Sequence, residues 1–289
     1  MVEGIAIQQS PGFFRATFKR LRKRKTAMFG LAVVLVLFFT AGFADLLAPS
    51  KPNVMNPGAR LQSPSAKHPL GTDVLGRDIL SRILYGGRVS LKIGFFSIGL
   101  AAFLGLVLGT LSGYYGGAVD HLIMRFIDLF LAFPVFLLAI VIVVTLGPGE
   151  WTVITAIGIA YMPAFSRIIR GSVLTVKETE YIEACRTLGY GNPRIITGHV
   201  IPNCLAPLIV YTTLTIGVAI IIEASLSFLG LGIRPPTPAW GYDLQAGMSV
   251  LEFAPHVVIF PGLAISVTVL GFNMLGDGLR DALDPRLKT

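Results

Sequence analysis

The chain has 289 residues, of which 53% are hydrophobic and only 14% charged, against roughly 25% charged in an average soluble domain. So much apolar surface on so few charges excludes a water-soluble protein and makes lipid the solvent for most of the chain. The net charge of +8 does not mark a nucleic-acid face, because its densest cluster sits directly before an apolar run and reads as a membrane anchor.

That cluster is Arg15, Lys19, Arg20, Arg22, Lys23, Arg24 and Lys25. A bilayer core needs about 20 mostly apolar residues per helix, and this ruler predicts an all-α membrane protein with six spans: 28–48, 89–113, 122–146, 151–169, 204–229 and 256–275. No A-x-A cleavage pattern follows the first run, so it is expected to be retained rather than removed. With the basic tail 1–27 cytoplasmic, the loop 49–88 falls outside, 112–121 inside, 147–150 outside, 170–203 inside and 230–255 outside. The C-terminal tail, with Arg280, Arg286 and Lys288, returns to the cytoplasm. The loop 49–88 carries Lys51, Arg60, Lys67, Arg77, Arg82 and Arg88, more base than an outer loop should hold. The segment near Arg82 is therefore expected along the membrane surface.

Pro49, Pro52, Pro57 and Pro64 make the start of that loop irregular and divide a single leading helix from a five-helix core over 89–289. Gly105, Gly109, Gly113 and Gly117 recur every fourth residue, a bare face on which another helix backbone can pack closely. Arg125 and Asp128 lie three apart in the third span, and Glu223 lies alone in the fifth. Ionisable groups at membrane depth are costly and often line a substrate path; for the Arg125–Asp128 pair the competing reading is snorkelling at the inner surface, and for Glu223 the expectation is a pathway or an inter-subunit role. Asp45, at a span end, is expected to be solvated, and Trp240 to stiffen the loop 230–255.

Between the fourth and fifth spans runs EYIEACRTLGYGNPRIITGHVIPN, polar and punctuated by glycine. A loop that only joined spans would need roughly 2–8 residues. Thr175 and Glu178 have capping-box spacing. Tyr181, Ala184, Cys185 and Leu188 then recur at i, i+3, i+4 and i+7, an apolar-to-small ridge. Glu178, Glu180, Glu183 and Arg186 occupy the other faces. Gly189 and Gly191 end the helix by accepting positive φ. Asn192 and Pro193 cap and start a second helix over 195–201, which Pro202 closes. The ridge has two readings: burial against its own bundle or the headgroups, or docking into the groove of a soluble partner.

No lysine follows a glycine, so the phosphate-binding G-x-x-x-x-G-K-[ST] is missing. His68, His121, His199 and His256 are scattered, with no H-E-x-x-H or G-x-S-x-G. Neither catalysis nor a metal site is expected, and Cys185 and Cys204, on the cytoplasmic side, are not expected to pair.

Glu183-Ala184-Cys185, then Gly189, then His199-Val200-Ile201-Pro202 resembles the EAA loop of ABC importer permeases, with Cys185, His199 and Ile201 departing from its common form. HPLGTDVLGRDILSRILYGGRVSL (68–91), SLSFLGLGIRPPTPAWG (225–241) and GDGLRDALDPRLK (276–288) resemble the C-type permease of dipeptide, oligopeptide, glutathione and nickel importers. The likeness runs from Lys19 to the C-terminus, and His199 is familiar from the peptide branch. It implies a type I importer permease fold whose coupling loop, 173–203, meets an ATPase through Tyr181, Glu183, Ala184, Cys185, Leu188, Gly189 and Gly191. It also implies a homologous second permease, two ATP-binding subunits that hold ATP and Mg, and an extracytoplasmic substrate-binding protein. The setting would be the bacterial cytoplasmic membrane. The cargo expected is a di- or oligopeptide, with glutathione or a nickel chelate as alternatives. A secondary transporter, the rival of another class, would call for an inverted repeat or paired broken helices, and the sequence displays neither.

Overall fold

The computed structural model describes residues 20–283; Arg15, Lys19, Arg286 and Lys288 lie outside them. The described residues form an all-helical bundle, with one isolated bridge between Thr72 and Asp78. Five helices are long and apolar enough to cross a membrane, and a sharply bent pair makes a sixth crossing if taken together.

The first span, α1 (Lys25–Gly42), is apolar on every side, as a helix facing lipid must be. Its buried positions Ala27, Gly30, Val34 and Ala41 form one stripe, which packs on the last helix, α11 (His256–Leu283). The approach is close: a Cβ at Gly30 would lie 2.6 Å from the Leu275 nitrogen. The expected run to Ala48 breaks at Phe43, and Ala44–Leu47 forms a separate turn, α2.

The second span, α3 (Ile79–Tyr115), has 37 residues and is about 55 Å long at 1.5 Å per residue. It starts ten positions before the apolar window, because Asp78 caps it by accepting from the Ser81 nitrogen at 2.8 Å. The glycine face packs on α6 (Glu150–Lys177) as expected at three of its four positions. A Cβ at Gly109 would meet Ser166 O at 2.5 Å, and one at Gly113 would meet Val173 Cβ at 2.9 Å. Gly117 faces open space beyond the seam.

The third predicted span, 122–146, is not one helix. It is α4 (Gly117–Leu131) and α5 (Val135–Leu146), bent by 86°. Pro134 lacks an N–H and sits in extended backbone, ψ 132°, so no helix continues through it. A hydropathy window averages across such a break and cannot register it.

The positive outer loop also resolves. Arg77 pairs with Asp73 at 2.5 Å, Arg82 with Asp243 at 2.5 Å, and Arg88 with Asp45 at 2.8 Å. The Arg82 side chain is buried beneath α10 (Trp240–Gly247). Asp45 is exposed but not merely solvated, since Arg88 and then Tyr85 hydrogen-bond it and hold its carboxyl below the usual carboxylate range. Trp240 does fasten its loop: it is buried, donates to Ile83 O at 2.9 Å, and fills the space left by Gly86.

Candidate functional site

The elbow begins later than its sequence suggested. The helix α6 runs on to Lys177, whose ammonium donates to Gly113 O at 3.0 Å and ties the helix end to α3. Thr175 lies inside that helix and donates to Gly171 O, so the expected capping box with Glu178 does not form. The N-cap of α7 (Glu180–Thr187) is Thr179, whose hydroxyl bonds backward to Val176 O instead of capping.

On α7 the ridge points outward. Tyr181 is 43% and Leu188 73% exposed, Glu183 and Ala184 are exposed, and Cys185 is half-buried. What holds the helix to the bundle is Ile182, fully buried; it lies off the ridge, and the sequence reading passed over it. Its signal was available, since it is the only branched aliphatic residue in an eight-residue helix.

Gly189 takes φ +78°, the left-handed turn expected of it, and Tyr190 N closes the turn on Cys185 O at 3.0 Å. Gly191 differs: its φ is −67°, and it is the N-cap of α8 (Asn192–Ile195). Asn192, expected in that role, is the first helical residue and instead accepts from the Tyr114 hydroxyl at 3.0 Å. Pro202 does not end the second helix. Through a π-helical turn at Ile196–Val200, the chain passes without interruption into α9 (Ile201–Phe228), so that Asn192–Phe228 is one long span. Pro202 has no N–H for the turn below and crowds its carbonyl; the wider turn gives it room.

The other candidates lie apart from the elbow ridge. Arg125 and Asp128 line a groove of about 510 Å³ between α4 and α6, with Asp120, Arg167 and Arg170. Asp128 pairs with Arg167 at 2.7 Å, while Arg170 grips Asp120 with two bonds of 2.7 and 2.6 Å. The partners of these acids are thus on α6, which the three-residue spacing of Arg125 and Asp128 did not reveal. Glu223 lies outside that groove. It is fully buried within the chain and accepts from Ser90 at 3.0 Å and from Ser227 at 2.9 Å. Ser227 in turn accepts from Ile233 N at 3.1 Å, so Glu223 holds the turn that leaves α9.

Residues 105–289 match the family described as the binding-protein-dependent transport system inner membrane component. The chain belongs to that family. Residues 12–64 of the permease also match the N-terminal transmembrane domain of oligopeptide transport permease C. The permease is 48% identical to a dipeptide transport system permease protein of Alkalihalophilus pseudofirmus, over 96% of this chain and 91% of that one. It is 45% identical to a glutathione transport system permease protein of Pectobacterium atrosepticum, over 96% and 92% of the two chains. The fold is shared with a chain of the inward-facing MetNI methionine ABC transporter, at 18% identity and a TM-score of 0.57, covering 71% of this chain and 98% of that one.

The permease is therefore a multi-pass, type I subunit of an inner-membrane importer. Among its described residues no group of three His, Cys, Asp or Glu side chains is placed to hold a metal ion. The elbow helix is thus anchored on one side by Ile182 and leaves Tyr181, Ala184 and Leu188 exposed on the other.

Proposed function

We propose that this permease imports a peptide-type substrate, with di- or oligopeptides foremost, in a machine driven by ATP hydrolysis on two partner subunits. The family supports the importer, and the relatives named for dipeptide and glutathione transport support the substrate class. Glutathione stays as the second reading because it is itself a small peptide and names a relative of nearly equal identity.

In this reading α7 is the coupling helix. The observation that carries it is the outward ridge on a polar elbow: Tyr181 is 43% and Leu188 73% exposed, while Ile182 on the same helix is sealed inside. An apolar residue so presented fits a groove on a partner. Tyr181, Glu183, Ala184, Cys185 and Leu188 would make that contact, and Gly189 and Gly191 would let the elbow move. The ridge faces the cytoplasm, together with both termini, and the segments 49–78 and 230–255 face the opposite side, where a substrate-binding protein would dock. A homologous permease would complete the path. Arg125 and Asp128 keep a place beside that path because they line an open groove; Glu223 is left out of it. ATP-driven closure then shifts α7, and the bundle changes between openings according to which contacts each state gains.

A photo-crosslinking residue at Leu188 tests this. The expected result is a covalent adduct with an ATPase subunit in membranes, together with uptake of labelled Ala-Ala. Adducts with lipid or with the permease itself would overturn the coupling role, and uptake of glutathione but not Ala-Ala would exchange the two substrates.

A further inference from the structure

Ile182 anchors α7 inward, in the buried cluster that also holds Ile195, Val200 and Cys204 of the long span, but it lies off the ridge. The backbone route from α7 to α9 passes through Gly189 at φ +78° and Gly191, residues whose freedom makes a poor lever. A second route runs through side chains. The π-helical turn carries His199 to the foot of the long span. There its ring packs beside two tyrosines, one on α7 and one within the hinge: Tyr181 at 6.3 Å, tilted 59°, and Tyr190 at 6.3 Å, stacked within 25°. Arg194 covers Tyr190 at 4.3 Å from its centroid. One turn on, the Asn203 amide nitrogen donates to the Tyr181 hydroxyl at 3.1 Å and to His199 O at 2.7 Å. Tyr181 is thus held by its ring and by its hydroxyl, both from the span.

We infer that His199, packed beside Tyr181 and Tyr190, is a positioning residue that fastens the exposed ridge to the Asn192–Phe228 span and carries its displacement across the glycine hinge. This rests on the coupling reading of α7. Stacked rings at this separation resist splaying, whereas a glycine hinge alone lets the ridge move without the span. The π turn explains the register: with one residue more per turn than its neighbours, it rotates position 199 relative to a regular helix ending at Pro202.

The test uses the complete importer in proteoliposomes, with its binding protein and labelled Ala-Ala, glutathione being run in parallel. For His199→Ala, ATPase subunits still co-purify and ATP is still hydrolysed, but substrate imported per ATP falls by about tenfold. His199→Phe, which keeps a ring, restores most of that ratio, and His199→Gln, which keeps polarity without a ring, does not. Unchanged import per ATP in His199→Ala would overturn the proposal. So would loss of assembly in His199→Ala, or equal rescue by Gln and Phe, since both speak for a structural or polar role. The Leu188 crosslink in the unaltered permease reports on the coupling reading separately, so failure of one is not mistaken for failure of the other.

Discussion

Arg82 on α3 and Asp243 on α10 meet across 161 positions of chain, Nε to Oδ1 at 2.8 Å, with both side chains buried. The pair locks the connection 229–255 onto the head of the longest helix, beside the Trp240 side chain that occupies the space of Gly86. Taking away one partner strands a buried charge. Arg82→Ala is expected to destabilise the permease by about 3–5 kcal/mol, and the double change Arg82→Met with Asp243→Leu by much less. Thermal unfolding in detergent measures both. Equal losses would show that the pair is not electrostatically linked.

The glycine seam gives a second prediction. Gly109→Val forces a side chain against Ser166 O, which already stands 2.5 Å from where a Cβ would be. Overpacking of this kind costs about 1–3 kcal/mol. Gly99→Ala, with nothing within 4 Å, serves as the neutral companion. Membrane abundance and melting temperature of the two should separate cleanly.

At the elbow, Leu188 and Ile182 should fail in different ways. Leu188→Glu is expected to leave the melting temperature unchanged and to cut peptide uptake by about tenfold or more. Ile182→Ala removes a buried side chain and should cost about 2–5 kcal/mol of local or global stability. Hydrogen exchange over 178–195 detects the second change and not the first. Normal uptake by Leu188→Glu at normal abundance counts against the partner contact.

Glu223 is expected to behave as an internal brace. Glu223→Gln keeps one acceptor oxygen and replaces the other by an amide donor that a serine hydroxyl can accept, and should transport within about twofold of the unaltered permease. Glu223→Ala leaves those hydroxyls unpaired and should cost about 1–3 kcal/mol. A collapse of uptake in Glu223→Gln, with stability intact, would return this residue to the substrate path.

The five long apolar helices, the glycine seam and the elbow were legible because each depends on residues close in sequence. An apolar run long enough to span a bilayer announces itself whatever its neighbours are, and Gly189 ends a helix by its own conformational freedom. The capping box at Thr175 misled because α6 is held by α3 along the seam and by Lys177 bonding Gly113 O. Tertiary support carried the helix past a local stop signal. Pro202 misled similarly, since a π turn let a long span absorb it.

By itself the sequence determined that the chain lives in lipid, how many times its apolar segments can cross, and that a polar elbow with an apolar ridge interrupts them. Those properties sum over neighbouring residues. Only the packed bundle decided that the third crossing bends at Pro134, that Arg82 is buried against Asp243, that Glu223 turns inward to Ser90, and that Ile182 rather than the ridge faces the core. Each of these is a choice of partner between distant segments, and a charge or a methyl group carries no local sign of which distant group will meet it.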